Sequence, residues 1–238
     1  MPERQVGLAR ALSKLGYCSR SRASELICEG RVQLNGRVRR DPETPVHLAQ
    51  DRILINGKAI RASEKLYLMM NKPRGVVTTA SDEKGRETVY DLLPDDLSWV
   101  APVGRLDKAS EGLLLLTSDS EWGARISAPE SHLDKIYHVQ LAALPSEALL
   151  AQIREGVESR GEFLRVKTVR SLRAGKRNGW LEIALNEGRN RQIRRIFEHL
   201  NIEVLRLVRV AVGPLQLGSL AKGAVRPLNE AEIKAVGS

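Results

Sequence analysis

The sequence predicts an α+β protein of two domains, a small basic α/β one at the front and a larger one behind it. The larger one should hold a mostly antiparallel mixed sheet flanked by helices. Three observations carry this. Behind residue 65, strand-like segments mostly follow one another with helical segments interspersed, the pattern of an α+β domain. Residues 1–63 hold twelve Lys or Arg against six Asp or Glu, a net of +6, while the other 175 residues supply only +3 of the total +9. Between the two regions, Ala59 to Lys65 is polar and patternless and reads as a linker. The expected domains are therefore 1–63 and 64–238.

In the front segment, Val6 to Leu15 places Leu8, Leu12 and Leu15 on one helical face, and Gly16 ends it. Ser19 is an N-cap candidate for a second helix, Arg20 to Glu29, closed by Gly30. Val32 and Leu34 alternate with polar residues before Asn35-Gly36, a two-residue hairpin signal. A short strand, Arg52 to Ile55, ends at a second Asn-Gly pair. Arg20 and Arg22 open the second helix, where free amides also favour phosphate. Arg31, Arg37, Arg39 and Arg40 follow on the hairpin. Arginine suits forked contacts to phosphate.

In the rear segment, Leu66 to Met70 reads as a strand ended by Asn71-Lys72-Pro73, and Gly75 to Thr78 as a second strand. Ser81 to Gly85 is a charged loop, and Thr88 to Leu93 one or two helical turns. Ser120 to Ser127, Ser146 to Glu155 and Arg191 to Leu200 read as helices. Lys135 to Leu141, Leu164 to Ser171, Trp180 to Asn186 and a final Glu203 to Val212 read as strands. Leu113 to Leu116, four consecutive leucines, reads as a strand buried on both faces.

Composition narrows the function. A hydrophobic content of 42% suffices for a core, and aromatics at 4% leave aliphatic side chains to fill it. Cys18 and Cys28 are too few for a secreted disulfide scaffold or a typical zinc site, and are expected to be buried in a reducing cytoplasm. The N-terminus has no apolar signal core and no stretch approaches 18 apolar residues, so a cytoplasmic protein is expected. A net charge of +9 points to a polyanion, in the cytosol usually nucleic acid. There is no Gly-rich phosphate loop, dinucleotide fingerprint or metal-ligand cluster. The four histidines show no ligand spacing.

The chemistry concentrates in the loop Val103 to Gly112, ahead of the leucine strand. Asp107 lies between Arg105 and Lys108, which favour its ionised form. A carboxylate held on a tight loop suits nucleophilic or base chemistry. The plainer alternative, which the local residues by themselves favour, is an Asp that caps a turn or pairs with an arginine.

Four stretches taken together point further: Gly104-Arg105-Leu106-Asp107 through Asp119, Met70 to Gly75, Lys135-Ile136-Tyr137, and Glu187 to Arg195. In this order they resemble the pseudouridine synthases of the RsuA/RluB ribosomal RNA type, over nearly the whole chain. Ser110, Ser118 and Ser120 are small departures from that pattern. Ser19-Arg20-Ser21-Arg22, Leu26-Ile27, Gly30-Arg31-Val32 and Asn35-Gly36 likewise resemble the S4 RNA-binding domain. The resemblance implies a pseudouridine synthase fold and a cofactor-free isomerase that detaches uracil from ribose, turns it over and rejoins it through C5. It makes Asp107 the catalytic residue and Arg194 the cation paired with it. It puts Tyr137 and Leu207 against the flipped base, with Arg105 also at the substrate. Arg20, Arg22, Arg31, Arg189, Arg191 and Arg195 are left to contact RNA. Bland alternatives stand beside these: Arg194 as a simple RNA contact, Tyr137 and Leu207 as core. The expected partner is ribosomal RNA or a partly assembled subunit, met by a monomer. Arg189-Asn190-Arg191 favours large-subunit over small-subunit RNA. A non-catalytic assembly factor that keeps the fold is the competing class.

Overall fold

The computed structural model describes residues 5–60, 64–80 and 82–237. The chain forms two compact units, one running to Tyr67 and taking in Pro94–Ala101 and Leu116–Gly123, the other comprising Leu68–Leu93, Pro102–Leu115 and the residues from Ala124 on. Residues 61–63, in the expected linker, and Ser81 of the charged loop lie outside the described residues. On either side of the linker gap, Ala59 belongs to a strand, and Lys65 pairs with Asp119.

The first unit contains β1 (Val6–Gly7), α1 (Leu8–Lys14), α2 (Arg20–Cys28), β2 (Val32–Leu34), β3 (Arg37–Arg39), β4 (Pro45–Val46), β5 (Ile53–Ile55) and β6 (Lys58–Ala59). Ser19 caps α2, its Oγ accepting from the Arg22 amide at 3.1 Å. The sheet runs β3-β2-β5-β6. Asn35-Gly36 turns β2 into β3 with both residues left-handed, as a primed hairpin turn requires. Val32, Leu34, Ile53 and Ile55 meet Leu8, Leu12, Ala23 and Ile27 in one aliphatic core. The first helix begins later than expected, because Val6 and Gly7 pair with β4. Cys18 is buried, its thiol pushed up to about 11 by burial, but Cys28 is exposed, contrary to expectation.

The remaining strands are β7 (Tyr67–Lys72), β8 (Ala101–Val103), β9 (Glu111–Thr117), β10 (Lys135–Leu141), β11 (Val157–Ser159), β12 (Glu162–Leu164), β13 (Thr168–Ala174), β14 (Gly179–Leu185), β15 (Val204–Val212), β16 (Leu215–Gln216) and β17 (Val225–Pro227). The helices are α3 (Ser120–Ser127), α4 (Glu147–Glu155), α5 (Gln192–His199) and α6 (Glu230–Gly237). Nine strands form one sheet ordered β13-β14-β10-β15-β9-β7-β17, with β8 on β9 and β16 on β15. The pairs β13–β14, β14–β10, β10–β15, β15–β16 and β7–β17 are antiparallel, and β9 and β15 run parallel. All seven residues of β9 are buried, the leucines among them. Val139, Leu141, Leu181 and Ile183 pack against Leu150 and Ile153 of α4 and Ile196 and Phe197 of α5.

Gly75 to Thr78 is not a strand. Val76 and Val77 are buried as a strand's would be, but only Val77 makes a bridge, to Thr88, and the Gly75 amide donates instead to the Lys108 carbonyl. The strand expected over Glu203 to Val212 is the last long one, β15, but the short β16 and β17 and the helix α6 that follow it were not expected.

Candidate active site

Asp107 sits in the connection from β8 to β9, and neighbours hold that connection residue by residue. Thr78 Oγ1 donates to the Leu106 carbonyl at 2.9 Å. The Lys72 ammonium donates to the carbonyls of Pro73, Asp107 and Ser110 at 3.1, 3.2 and 2.9 Å. The Gly75 amide takes the Lys108 carbonyl at 2.8 Å, and Arg194 Nη2 takes that of Ala109 at 2.9 Å. Pro73 cannot continue the ladder of β7, and Lys72, the last residue of β7, spends its amine on these carbonyls. Lys72 is fully buried. Burial pushes its pKa down to about 8, against the opposing pull of the Asp107 and Glu111 carboxylates.

The far end of the loop is set by close strand approach. Gly112 pairs with Arg209 across the parallel β9–β15 step. Its φ is +102°, and a Cβ there would lie 2.2 Å from the Arg209 carbonyl oxygen, so only glycine fits. Arg209 Nε donates back to the Leu113 carbonyl at 2.7 Å. Beside Gly112, the buried Glu111 carboxylate accepts from Arg206 Nε and Nη2, each at 3.0 Å, and pairs with Lys222 Nζ at 2.7 Å. Burial raises the Glu111 pKa, but those two cations outweigh it and hold the carboxyl below the usual range.

Asp107 lines a cavity of about 530 Å³, within the common range for small-ligand sites, roughly 300–1,000 Å³. Leu115, Ile126, Leu207 and Val212 give it apolar walls. Tyr137, opposite Arg209 in the β10–β15 register, also lines it, as do Arg105, Arg189 and Arg191. Six of the site residues expected from the sequence thus share one hollow. Five lining cations, Arg105, Lys135, Arg189, Arg191 and Arg209, outnumber the two carboxylates, Asp107 and Glu187.

Two arginines depart from expectation. The cation in ion-pair contact with Asp107 is Arg191, whose Nη1 lies 3.7 Å from Oδ2; the expected partner, Arg194, makes no such contact but still feels the Asp107 charge. Arg191 stands just ahead of α5 with φ +49°, in the sparse left-handed region where functional sites store strain. Arg194, three positions on, turns toward the Ala109 carbonyl instead, and burial, its largest influence, lowers its pKa. Arg195 is not an RNA contact surface: it is 4% exposed, bonded to Glu162 and to the Ser159 backbone and hydroxyl. It ties α5 to the β11–β12 hairpin.

Of the others, Arg189 is partly engaged, by Glu187 at 3.0 Å and the Phe163 carbonyl at 3.1 Å. Arg20, Arg22 and Arg31 lie in the first unit, exposed. Arg20 lines a polar cleft with Arg10 and Lys14. Arg22 pairs with Glu25 at 2.7 Å, and Arg31 with Glu29 at 3.2 Å.

Sequence reasoning missed Lys72, Gln192, Arg206 and Arg209 as parts of the site. Gln192 is buried, donating to the Arg165 carbonyl at 2.8 Å and Glu187 at 2.7 Å, and so fixes the turn that carries Arg191. A lysine closing an apolar strand was the one visible signal for Lys72.

A basic hollow with apolar walls and a braced carboxylate suits an anionic ligand that has an apolar group to bury. Comparison with known proteins makes this specific. Residues 66–199 match the family described as RNA pseudouridylate synthase, and residues 6–53 match the S4 domain. An uncharacterized RNA pseudouridine synthase of Aquifex aeolicus (strain VF5) is 36% identical, with 98% of this chain and 96% of that protein covered. Ribosomal large subunit pseudouridine synthase B of Bacillus subtilis (strain 168) is 35% identical, with 95% and 93% covered. A crystal structure of a pseudouridylate synthase superposes with a TM-score of 0.68 at 30% identity, covering 97% of this chain and 99% of that one. The chain belongs to the RNA pseudouridylate synthase family and carries an S4 domain ahead of the synthase domain.

Proposed function

We propose that the protein isomerises a specific uridine of large-subunit ribosomal RNA to pseudouridine, with Asp107 as the catalytic residue. The observation that carries this is Asp107 on a pinned loop, at an apolar-walled cavity lined by Tyr137 and Leu207. The large-subunit target rests on the Bacillus subtilis relative and on one of the same name from Haemophilus influenzae, 34% identical. In this reading Arg191 orients the Asp107 carboxylate, and Arg194 acts on it through the loop backbone. Tyr137 stacks on the target base and Leu207 packs beneath it. Residues 1–63 clamp the RNA through Arg20, Arg22 and Arg31, and residues 64–238 carry out the reaction. Arg105, Arg189 and Arg191 meet phosphate at the cavity mouth. Everting the uridine costs a few kcal/mol, which phosphate contacts offset. The enzyme works as a monomer in the cytoplasm, on free ribosomal RNA or a partly assembled subunit.

The test is a pseudouridine map of ribosomal RNA from cells lacking the gene, complemented by wild type or by Asp107→Asn. One large-subunit site should vanish on deletion and return with wild type alone, while Asp107→Asn still binds the RNA. Survival of every site refutes the target. Full restoration by Asp107→Asn refutes the role given to that carboxylate.

A further inference from the structure

Lys135 opens β10 and shares a face of that strand with Tyr137, two residues on. It lines the Asp107 cavity, and its register partners Leu185 and Val212 line it too. It is half-buried. Among the described residues no hydrogen bond or ion pair reaches its amine. Arg209, buried on the neighbouring strand, spends its Nε on a backbone carbonyl and has no carboxylate partner among the described residues. Two poorly solvated cations with no ion-pair partner cost stability unless a bound ligand supplies negative charge.

The substrate offers negative charge in two places. Its phosphates belong with the exposed arginines 105, 189 and 191. Lys135, set deeper between apolar walls, faces where the base must go. From this we infer that Lys135 is a further catalytic residue, whose ammonium donates to a uracil oxygen and stabilises the charge that appears when the base is detached. The inference rests on Asp107 being the reactive carboxylate.

The electron count supports a cation at this spot. As the N1–C1′ bond breaks, its electron pair leaves with the base, giving a uracil anion with charge shared between N1 and the two carbonyl oxygens. The base turns, C5 bonds to C1′, the C5 proton is released, and N1 takes up a proton. Nothing is oxidised or reduced, and Lys135 keeps its own proton throughout. A fixed cation at developing charge acts more strongly in the transition state than on bound substrate, so it should raise the rate rather than the affinity. Burial first, and then Arg209, lower the Lys135 pKa, with Asp134 opposing.

The test is single-turnover tritium release from C5-tritiated large-subunit ribosomal RNA transcript, with RNA affinity from filter binding and folding from thermal melts. Lys135→Gln and Lys135→Met should each cut the saturating rate by about 10²- to 10³-fold, with Kd within about threefold of wild type. Lys135→Arg, which keeps the charge, should recover to within about tenfold of wild type. A wild-type rate in either neutral variant overturns the inference. So does a defect confined to Kd, the mark of a phosphate contact, or an arginine variant that melts normally and is as slow as the neutral ones. Wild-type protein without turnover, or Asp107→Asn with full turnover, overturns the underlying reading of the site instead.

Discussion

At the scale of single residues, the loop that carries Asp107 is held by a buried amine. Lys72 needs its proton to serve three carbonyls at once, and that proton is lost near pH 8. The saturating rate should therefore fall as pH rises through about 8. Stability should behave differently. The folded pKa is lowered, so the cost of burying the charge is present in full below pH 8 and is relieved as pH climbs toward the ordinary lysine value. A rate profile from pH 6.5 to 9 should fall on the alkaline side while the melting temperature does not; a flat rate refutes the clamp. This amine was only faintly legible in the sequence, and the bonding partners of three neighbouring arginines were not legible at all. Positions 191, 194 and 195 carry the same side chain, yet one faces Asp107, one holds a backbone carbonyl and one anchors a hairpin. A turn of helix separates these fates, and the left-handed residue that starts α5 sets its phase.

At the scale of elements, the junction of β9 with β15 and the anchoring of α5 can each be tested. Gly112→Ala forces a methyl group onto the Arg209 carbonyl in a left-handed conformation. It should destabilise the fold by more than about 3 kcal/mol, the sum of strain and overpacking, read from urea unfolding. Arg195→Met should lower the melting temperature by several degrees and leave the salt dependence of RNA binding as in wild type, since the guanidinium faces Ser159 and Glu162 rather than solvent. A lower salt slope with an unchanged melt would restore it to the RNA surface. The long elements were legible because their period is strong: the leucine strand, β10, α4 and α5 all fall close to where patterning puts them. The stretch after Val212 was not. Between Gly213 and Pro227 the chain carries Gly and Pro often enough to read as loop, and β16 and β17 are two and three residues long. Gly75 to Thr78 failed the other way, because buried valines do not reveal which backbone they will pair with.

At the scale of the whole molecule, uneven charge was the earliest clue to function, and it gives a direct experiment. Arg20 and Arg22 changed together to Ala should weaken RNA binding and reduce the slope of log affinity against log salt by about two. Arg22 already pairs with Glu25, so a slope change nearer one is the value expected if that pair persists on RNA. No change at all removes the front segment from the binding surface. The candidate site itself was legible as four separate stretches; what folding adds is how they are wired. Lys72 reaches the Asp107 loop from β7, and β7 is bordered by β17, whose residues are made more than 150 positions later. A partly synthesised chain therefore has the acid but not the completed brace behind it. Competence arrives only with the closing strands, so an emerging or clipped polypeptide should grip RNA through its early helices and leave every uridine as it found it.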